Sequence, residues 1–488
     1  MITETNKTEK FAEFDALLAQ NLQASSILGD LMSRLEYAEY ELINLMWNAG
    51  VWTGTPEPPA PAGYTPGSGN VDFALFLYWF NHPGDIKGLD WELEALIYYL
   101  QYKQYIAPTQ MTLANYNFFS SNELIYEDGS VLSMETWATY DQGWFTAFLN
   151  LLETLIRKLW YNGGTFPATT PPVITLQGAA QNRVSIAVIG DWGTGDAVAT
   201  GIMSQITSMK QAPDYIFHVG DVYYGGTPST NASHYFSPGE EVANLLNVWP
   251  AAYNGKSFTL NSNHEMYSGA NGYFNDALGA SQTPPASNTP FSAQKGSSCF
   301  ALQFGGWTLL GLDSAFTGTS LDAFMSGSIG GATGTQGKWI SSLGLDPAKT
   351  IVLTHHDGFA VDCSAVNPLW MEIRGALGNK DPFAWYWGHV HNGIVYGNSI
   401  TIKDFTTNTL ARCLGHGALP YGFANNLSNV SQIAWLTNSP KPAPSKELLN
   451  GFAVIDLVTQ NNVVVSITES FYVLGNLNPV YTKPIFGA

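Results

Sequence analysis

The chain has 488 residues, of which 45% are hydrophobic, 13% aromatic and only 12% charged. That length is well beyond the ~250–300 residues at which one hydrophobic core stops growing, so two or more domains are expected, with apolar residues ample for sizeable cores. Its 20 basic and 39 acidic residues give a formal charge of -19, and no Lys/Arg cluster offsets it. A field of that sign excludes general nucleic-acid binding and requires a local cationic centre if the substrate is an anion.

In chain order, residues 8 to 161 read as helical. Phe11, Phe14, Leu18 and Leu22 open a series of three- and four-residue spacings that runs to Leu42 and Met46, the mark of an apolar stripe on a helix. Phe145, Phe148, Leu149, Leu152, Leu155, Ile156 and Leu159 repeat the spacing before "NGG" stops the helix. The Trp and Tyr residues of this half fall within the periodicity and read as core and interface aromatics. The first residues, "MITETNKTEKFAEF", lack the basic-then-apolar plan of a signal peptide. The apolar run "FALFLYWF" is far too short to span a bilayer. A soluble, cytoplasmic protein with no membrane span is the expectation. Three cysteines, Cys299, Cys363 and Cys413, are too few and too scattered for a disulfide framework.

"TFPATTPPVITLQGAAQ" reads as a linker, giving a helical domain over 1–165, a linker over 166–182 and a second domain over 183–488. In that domain "VSIAVIGD", "YIFHVGD", "SFTLNSN", "WTLLGLD", "TIVLTHH" and "AWYWGH" are apolar runs that each end in a polar or metal-binding residue. Helical stretches such as "AVATGIMSQITSMKQ" and "TQGKWISSLGL" lie between several of them. The alternation predicts an α/β domain with its functional groups at the strand ends.

Five segments carry those groups: "GDWGTGD" with Asp191, "GDVYY" with Asp221 and Tyr224, "NSNHE" with Asn263 and His264, "TIVLTHHDG" with His355 and His356, and "WGHVH" with His389 and His391. Five of the nine histidines fall in the last three segments. Carboxylates, a phenol, an amide and imidazoles without a thiolate suit Fe, Mn or Zn. There are too many ligands for one ion, so a pair is implied. Strand alternation puts His389 and His391 on one face. Two ions roughly 3.5–4 Å apart clamp a phosphate and lower the pKa of a bridging water.

These motifs, in this order and at strand ends, resemble the calcineurin-like metallophosphoesterase superfamily. "GDWG" with Asp-x-x-Tyr resembles its purple acid phosphatase branch, because Gly193 stands where most members carry a histidine and Tyr224 is present instead. The resemblance covers about residues 183 to 470 and implies an α-β-β-α sandwich catalytic domain, here preceded by an N-terminal all-α domain. It implies Fe(III) on Asp191, Tyr224 and His391, a divalent ion (Fe, Zn or Mn) on Asn263, His355 and His389, and Asp221 bridging the two. The three anionic groups favour a trivalent ion at the first site, and the neutral set suits a divalent one at the second.

The family activity is phosphomonoester hydrolysis by attack of metal-bound hydroxide, with His264 assisting the leaving group or binding phosphate. A phosphodiesterase or nucleotide hydrolase with the same centre is the alternative, and a non-catalytic scaffold that binds a protein partner is a third reading. The partner expected is a phosphate-ester small molecule or a phosphorylated substrate. His264 and Asp221 are the expected catalytic residues; His264, His356 and His416 are the expected substrate contacts. Ser262 replaces the family's glycine before the Asn ligand, and Asp357 replaces a proline, so His355 and His356 compete for one ligand position; spacing favours His355. Tyr224 is selected over Tyr223 by the three-residue step from Asp221, with Tyr223 expected to pack. The helical domain is expected to cap the site, select substrate or mediate homo-oligomerisation.

Overall fold

All six apolar runs form strands in the computed structural model. That structure describes Leu124–Ile125, Val131–Leu132, Ala147, Asn150, Leu151, Thr154 and residues 170–487, except 181, 231–234, 236, 281–288, 319–323, 421–426 and 438–447. The chain divides into two compact units, Met1–Phe145 and Thr146–Ala488. The helical stripe from Phe11 to Met46 lies outside the described residues. Within the half read as wholly helical, Leu124–Ile125 (β1) pairs antiparallel with Val131–Leu132 (β2). The sequence between them, "YEDGS", carries the Asp-Gly pair typical of hairpin turns.

In the second unit, Val173–Thr175 (β3) is followed by Arg183–Ile189 (β4), Tyr215–His218 (β5) and Ser257–Thr259 (β6). Next come Phe300–Phe304 (β7), Trp307–Gly311 (β8), Thr350–Thr354 (β9) and Ala384–Trp387 (β10). Gly393–Tyr396 (β11), Ile400–Ile402 (β12), Phe405–Thr407 (β13), Leu410–Leu414 (β14) and Ile433–Leu436 (β15) follow. Gly451–Gln460 (β16), Val463–Val473 (β17) and Tyr481–Phe486 (β18) complete the set. The segment read as a linker therefore contains a strand: β3 pairs parallel with β7.

One sheet has the order β18-β17-β16-β4-β5-β6, and a second the order β15-β11-β14-β10-β9-β8-β7-β3. β4, β5 and β6 run parallel in the first sheet; β8, β9, β10 and β14 run parallel in the second. Strands buried on both faces read as continuous apolar runs rather than alternating ones, which is why "TIVLT" and "AWYW" were legible. Alternation decides which layer each residue enters. Val184, Ile186 and Val188 of β4 join Ile351 and Leu353 of β9 and Tyr386 of β10 in one core between the sheets. Ala187 and Ile189 turn the other way, onto Ile202 and Ile206 of the helix Ala197–Ser208 (α1). On the far side, Val352, Trp385 and Trp387 meet Leu369, Trp370 and Ile373. The unit is thus a mixed α/β structure dominated by two stacked sheets, with helices on the outer faces. Among the described residues no helix is long and apolar enough to cross a membrane.

Local sequence sets the helix starts. Asp196 caps α1 by accepting from the Ala199 amide at 2.9 Å. The four-residue helix Asn263–Met266 (α2) follows β6 and is capped by Ser262. Thr335–Ser342 (α3) precedes β9, and Pro368 opens Pro368–Ala376 (α4), where its missing amide proton costs nothing.

A buried ion pair joins the two sheets. Arg412 on β14 donates to both carboxylate oxygens of Glu469 on β17 at 2.7–2.9 Å, and Tyr386 on β10 donates to Glu469 Oε2 at 2.8 Å. Arg412 also donates to the carbonyls of Tyr396 and Ala411, so the charges are nearly saturated with partners. Removing one member strands the other in a dry core, at about 3–5 kcal/mol, whereas a matched apolar pair can be neutral. Arg412→Met and Glu469→Leu should each lower the unfolding free energy by that order, seen as a lower urea midpoint. The double variant should be more stable than either single one; additive losses in urea denaturation would show the pair does not act as a unit.

Candidate metal centre

Both sheets direct the carboxyl ends of their parallel strands to one edge. Asp191 lies two residues past β4, Asp221 three past β5 and Asn263 just past β6, while His355 follows β9 and His389 and His391 follow β10. Four of these residues hold positive φ: Asp191 at 55°, Asp221 at 78°, His389 at 66° and His391 at 22°. Such conformations cost of order 1–3 kcal/mol in a non-glycine residue and cluster at functional sites. His389 and His391 are therefore not on one face of a strand, as alternation suggested, because the strand has ended and the chain is turning. Gly388 permits this turn: a Cβ there would sit 2.5 Å from Asp191 Oδ2, the same oxygen that accepts from the His389 amide at 2.8 Å.

Asp191, Asp221 and His391 form one group whose ligand atoms lie within 4.8 Å of one another. The phenol among them belongs to Tyr223. Its hydroxyl donates to Asp221 Oδ2 at 2.7 Å, and it lies 3.5 Å from Asp191 Oδ1 and 3.1 Å from His391 Nε2. The three-residue step from Asp221 selected Tyr224, but the left-handed turn at Asp221 directs its second neighbour inward. Tyr223 is fully buried. Tyr224 supplies the carbonyl that accepts from His264 Nδ1 at 2.7 Å.

A second group forms around Asn263. Its Oδ1 lies 2.7 Å from His355 Nε2 and 3.1 Å from His389 Nδ1, and His355 Nε2 lies 3.2 Å from Asp221 Oδ1. Asp221 thus turns one oxygen to each group. His355 Nδ1 faces the Val219 carbonyl at 2.9 Å; a carbonyl only accepts, so the proton sits on Nδ1. Burial pushes this imidazole down to about 3, leaving Nε2 with a bare lone pair aimed at two oxygens. The lone pair thus faces two acceptor oxygens at 2.7 and 3.2 Å with no proton between them, a repulsion that a cation would resolve. The N/O donors fit Fe, Mn or Zn, so two groups of His and Asp residues could hold metal ions.

The two carboxylates differ sharply. Burial, reinforced by the Asp221 charge, holds Asp191 well above the usual range. Burial also works against ionisation of Asp221, but His355, His264 and hydrogen bonds from Asp191 and Ser262 outweigh it and hold Asp221 well below. Burial holds the Tyr223 phenol far above its ordinary value.

Two more residues complete the surroundings: Ser262, which the sequence placed beside the Asn ligand, and Glu265, which sequence reasoning passed over. Ser262 Oγ lies 2.5 Å from Asp221 Oδ1 and contacts Glu265 Oε2. Glu265 is fully buried, and burial with the Asp221 charge pushes it up to about 8. The Glu in "NSNHE" was the available signal.

His356 and His416 are not presented to a substrate. His356 lies between Ser314 Oγ at 2.9 Å and the Phe324 carbonyl at 2.8 Å, so both ring nitrogens are engaged, although it lies within reach of His355 and His389. His416 is fully buried against Gly393 and Gly451, and among the described residues neither ring nitrogen has a hydrogen-bond partner. His264 does face the centre: with Nδ1 on the Tyr224 carbonyl, Nε2 lies 3.9 Å from Asp221 Oδ2.

The fold and site define a mixed α/β protein with paired His/Asp groups at its strand ends. No protein-family model and no curated protein matches the chain. Solved structures similar to it include GAP50, the anchor in the inner membrane complex of Plasmodium, at 12% identity and TM-score 0.41, covering 62% of this chain and 89% of that one. PhoD follows at 10% identity and TM-score 0.37, covering 63% and 69%. A hypothetical protein from Thermus thermophilus has 13% identity and TM-score 0.25, covering 60% and 100%. Likenesses as loose as these carry no argument about fold or function.

A ligand that binds only the folded state at 100 times its Kd stabilises it by ~2.7 kcal/mol. Mn²⁺ added to chelator-treated protein should therefore raise Tm by several degrees, and Asn263→Ala should cut most of that rise. An equal shift in wild type and variant would remove Asn263 from the centre.

Proposed function

We propose that this protein is a dinuclear metal-dependent phosphatase of the purple acid phosphatase type within the calcineurin-like metallophosphoesterase superfamily, with the second unit as its catalytic α-β-β-α sandwich. The observation that carries the reading is the convergence of acceptor atoms from both sheets, with Asp221 turning one carboxylate oxygen to each group. In this reading Asp191, Tyr223 and His391 would hold one ion, Asn263, His355 and His389 the other, and Asp221 would serve both. Tyr223 replaces Tyr224 in the ligand set. Bound cations would supply positive charge for the phosphate and acidify water at neutral pH.

The remaining chemistry belongs to side chains. His264 donates Nδ1–H to a carbonyl, which fixes its tautomer and leaves Nε2 directed at the centre. From there it can hold the proton that the leaving oxygen needs, or bind a phosphoryl oxygen. The chain's net charge of -19 disfavours an anionic ester at long range, so binding depends on a local cationic centre.

Elemental analysis of the purified protein with an aryl phosphate assay tests the reading: no metal and no turnover would end it. His264→Ala should keep its metal while kcat falls by about 10²–10⁴, the usual range for a lost general acid. In ferric protein, Tyr223→Phe should abolish the tyrosinate-to-iron visible band and Tyr224→Phe should leave it. The reverse pattern would return the ligand role to Tyr224.

A further inference from the structure

Asn263 can serve a cation only through Oδ1, yet an amide can turn over and present its NH₂ group instead. Without a cation that flip is favoured at this spot, because Nδ2–H would donate to the bare Nε2 of His355, 2.7 Å from the present Oδ1. Something on the other side must hold the amide. Nδ2 donates to the Tyr267 hydroxyl at 3.1 Å, and the Met325 thioether lies 3.7 Å away. Both accept there. The Tyr267 hydroxyl directs its own proton to Met325 Sδ at 3.9 Å, so in this arrangement its oxygen is the acceptor that Nδ2 meets.

Tyr267 is well placed for this. It is the C-cap of α2, one turn beyond Asn263, and its amide bonds back to the carbonyls of Asn263 and His264. Its own carbonyl accepts from Thr154 Oγ1 at 2.8 Å, and its ring packs 4.9 Å from that of His264. The backbone that carries the hydroxyl is thus pinned on two sides.

We propose that Tyr267 is a positioning residue: its hydroxyl, with Met325 behind it, holds the Asn263 amide so that Oδ1 faces His355 and His389. This assignment rests on the metal-centre reading above. Loss of a group that orients a metal ligand lowers metal affinity by about 10–100-fold. The loss should fall on the ion that Asn263 serves. Replacing Asn263 by Asp removes the need for orientation, since a carboxylate offers oxygen on either side.

The test is a titration of chelator-treated full-length protein with Mn²⁺ alone, following free Mn²⁺ by electron paramagnetic resonance. Wild type should bind two equivalents. Tyr267→Phe should weaken one of them by about 10–100-fold and leave the metal-free melting temperature unchanged. In the Asn263→Asp background the same change should cost less than about threefold. Unchanged binding in Tyr267→Phe, or an equal loss in both backgrounds, would overturn the assignment. Wild type that binds no Mn²⁺ would instead bring down the metal-centre reading, and this assignment with it.

Discussion

Acceptor faces acceptor at the edge where the two sheets meet, and the surrounding structure is arranged to keep it so. His355 Nε2 lies 2.7 Å from Asn263 Oδ1 and 3.2 Å from Asp221 Oδ1 without a shared proton. A lone pair that meets other acceptors in a buried site is costly. The arrangement persists because each group is held from behind: Val219 on His355, Ser262 on Asp221, Tyr267 on Asn263. Two different sheets contribute, so their relative registration matters as much as any side chain. The Arg412–Glu469 pair ties them together, and it does so in the layer that also buries Tyr386.

The strands that carry these groups were legible in the sequence because parallel strands covered on both faces leave long apolar runs. The strands of the β16–β17 hairpin were harder to see. β17 faces solvent along one side, with Val463 and Val465 exposed, so its apolar content does not mark which face is inside. Its turn, Asn461-Asn462, takes left-handed angles at both positions, a pairing the sequence does offer as a hairpin signal. The β3 strand lay hidden in Pro-rich sequence for a related reason: at a sheet edge few residues need be apolar.

Spacing located the site but not the direction of every side chain. It brought attention to the five segments whose residues the structure gathers at one edge. It selected Tyr224, whereas the Tyr223 phenol is the one beside Asp221, since a count along the chain carries no information about a left-handed turn at Asp221. His356 shows the converse problem. It sits next to His355 and within reach of His389, but Ser314 and Phe324, distant in sequence, take up both ring nitrogens. Roles decided by long-range partners are invisible to motif spacing, as with Ser262, whose hydroxyl meets Asp221 41 residues away.

The position of β16 has a consequence for how the protein is made. β4, which leads to Asp191, lies between β5 and β16, and β16 is synthesised long after all the candidate ligands have left the ribosome. Until it pairs, one edge of β4 is open, and the sheet that presents Asp191, Asp221 and Asn263 is incomplete. Pairing across so wide a sequence separation is slow, and the nascent chain meanwhile carries its histidines and carboxylates unassembled. The edge that gathers Asp191, Asp221 and Asn263 is therefore complete only after the last long strands of the chain have been made and paired.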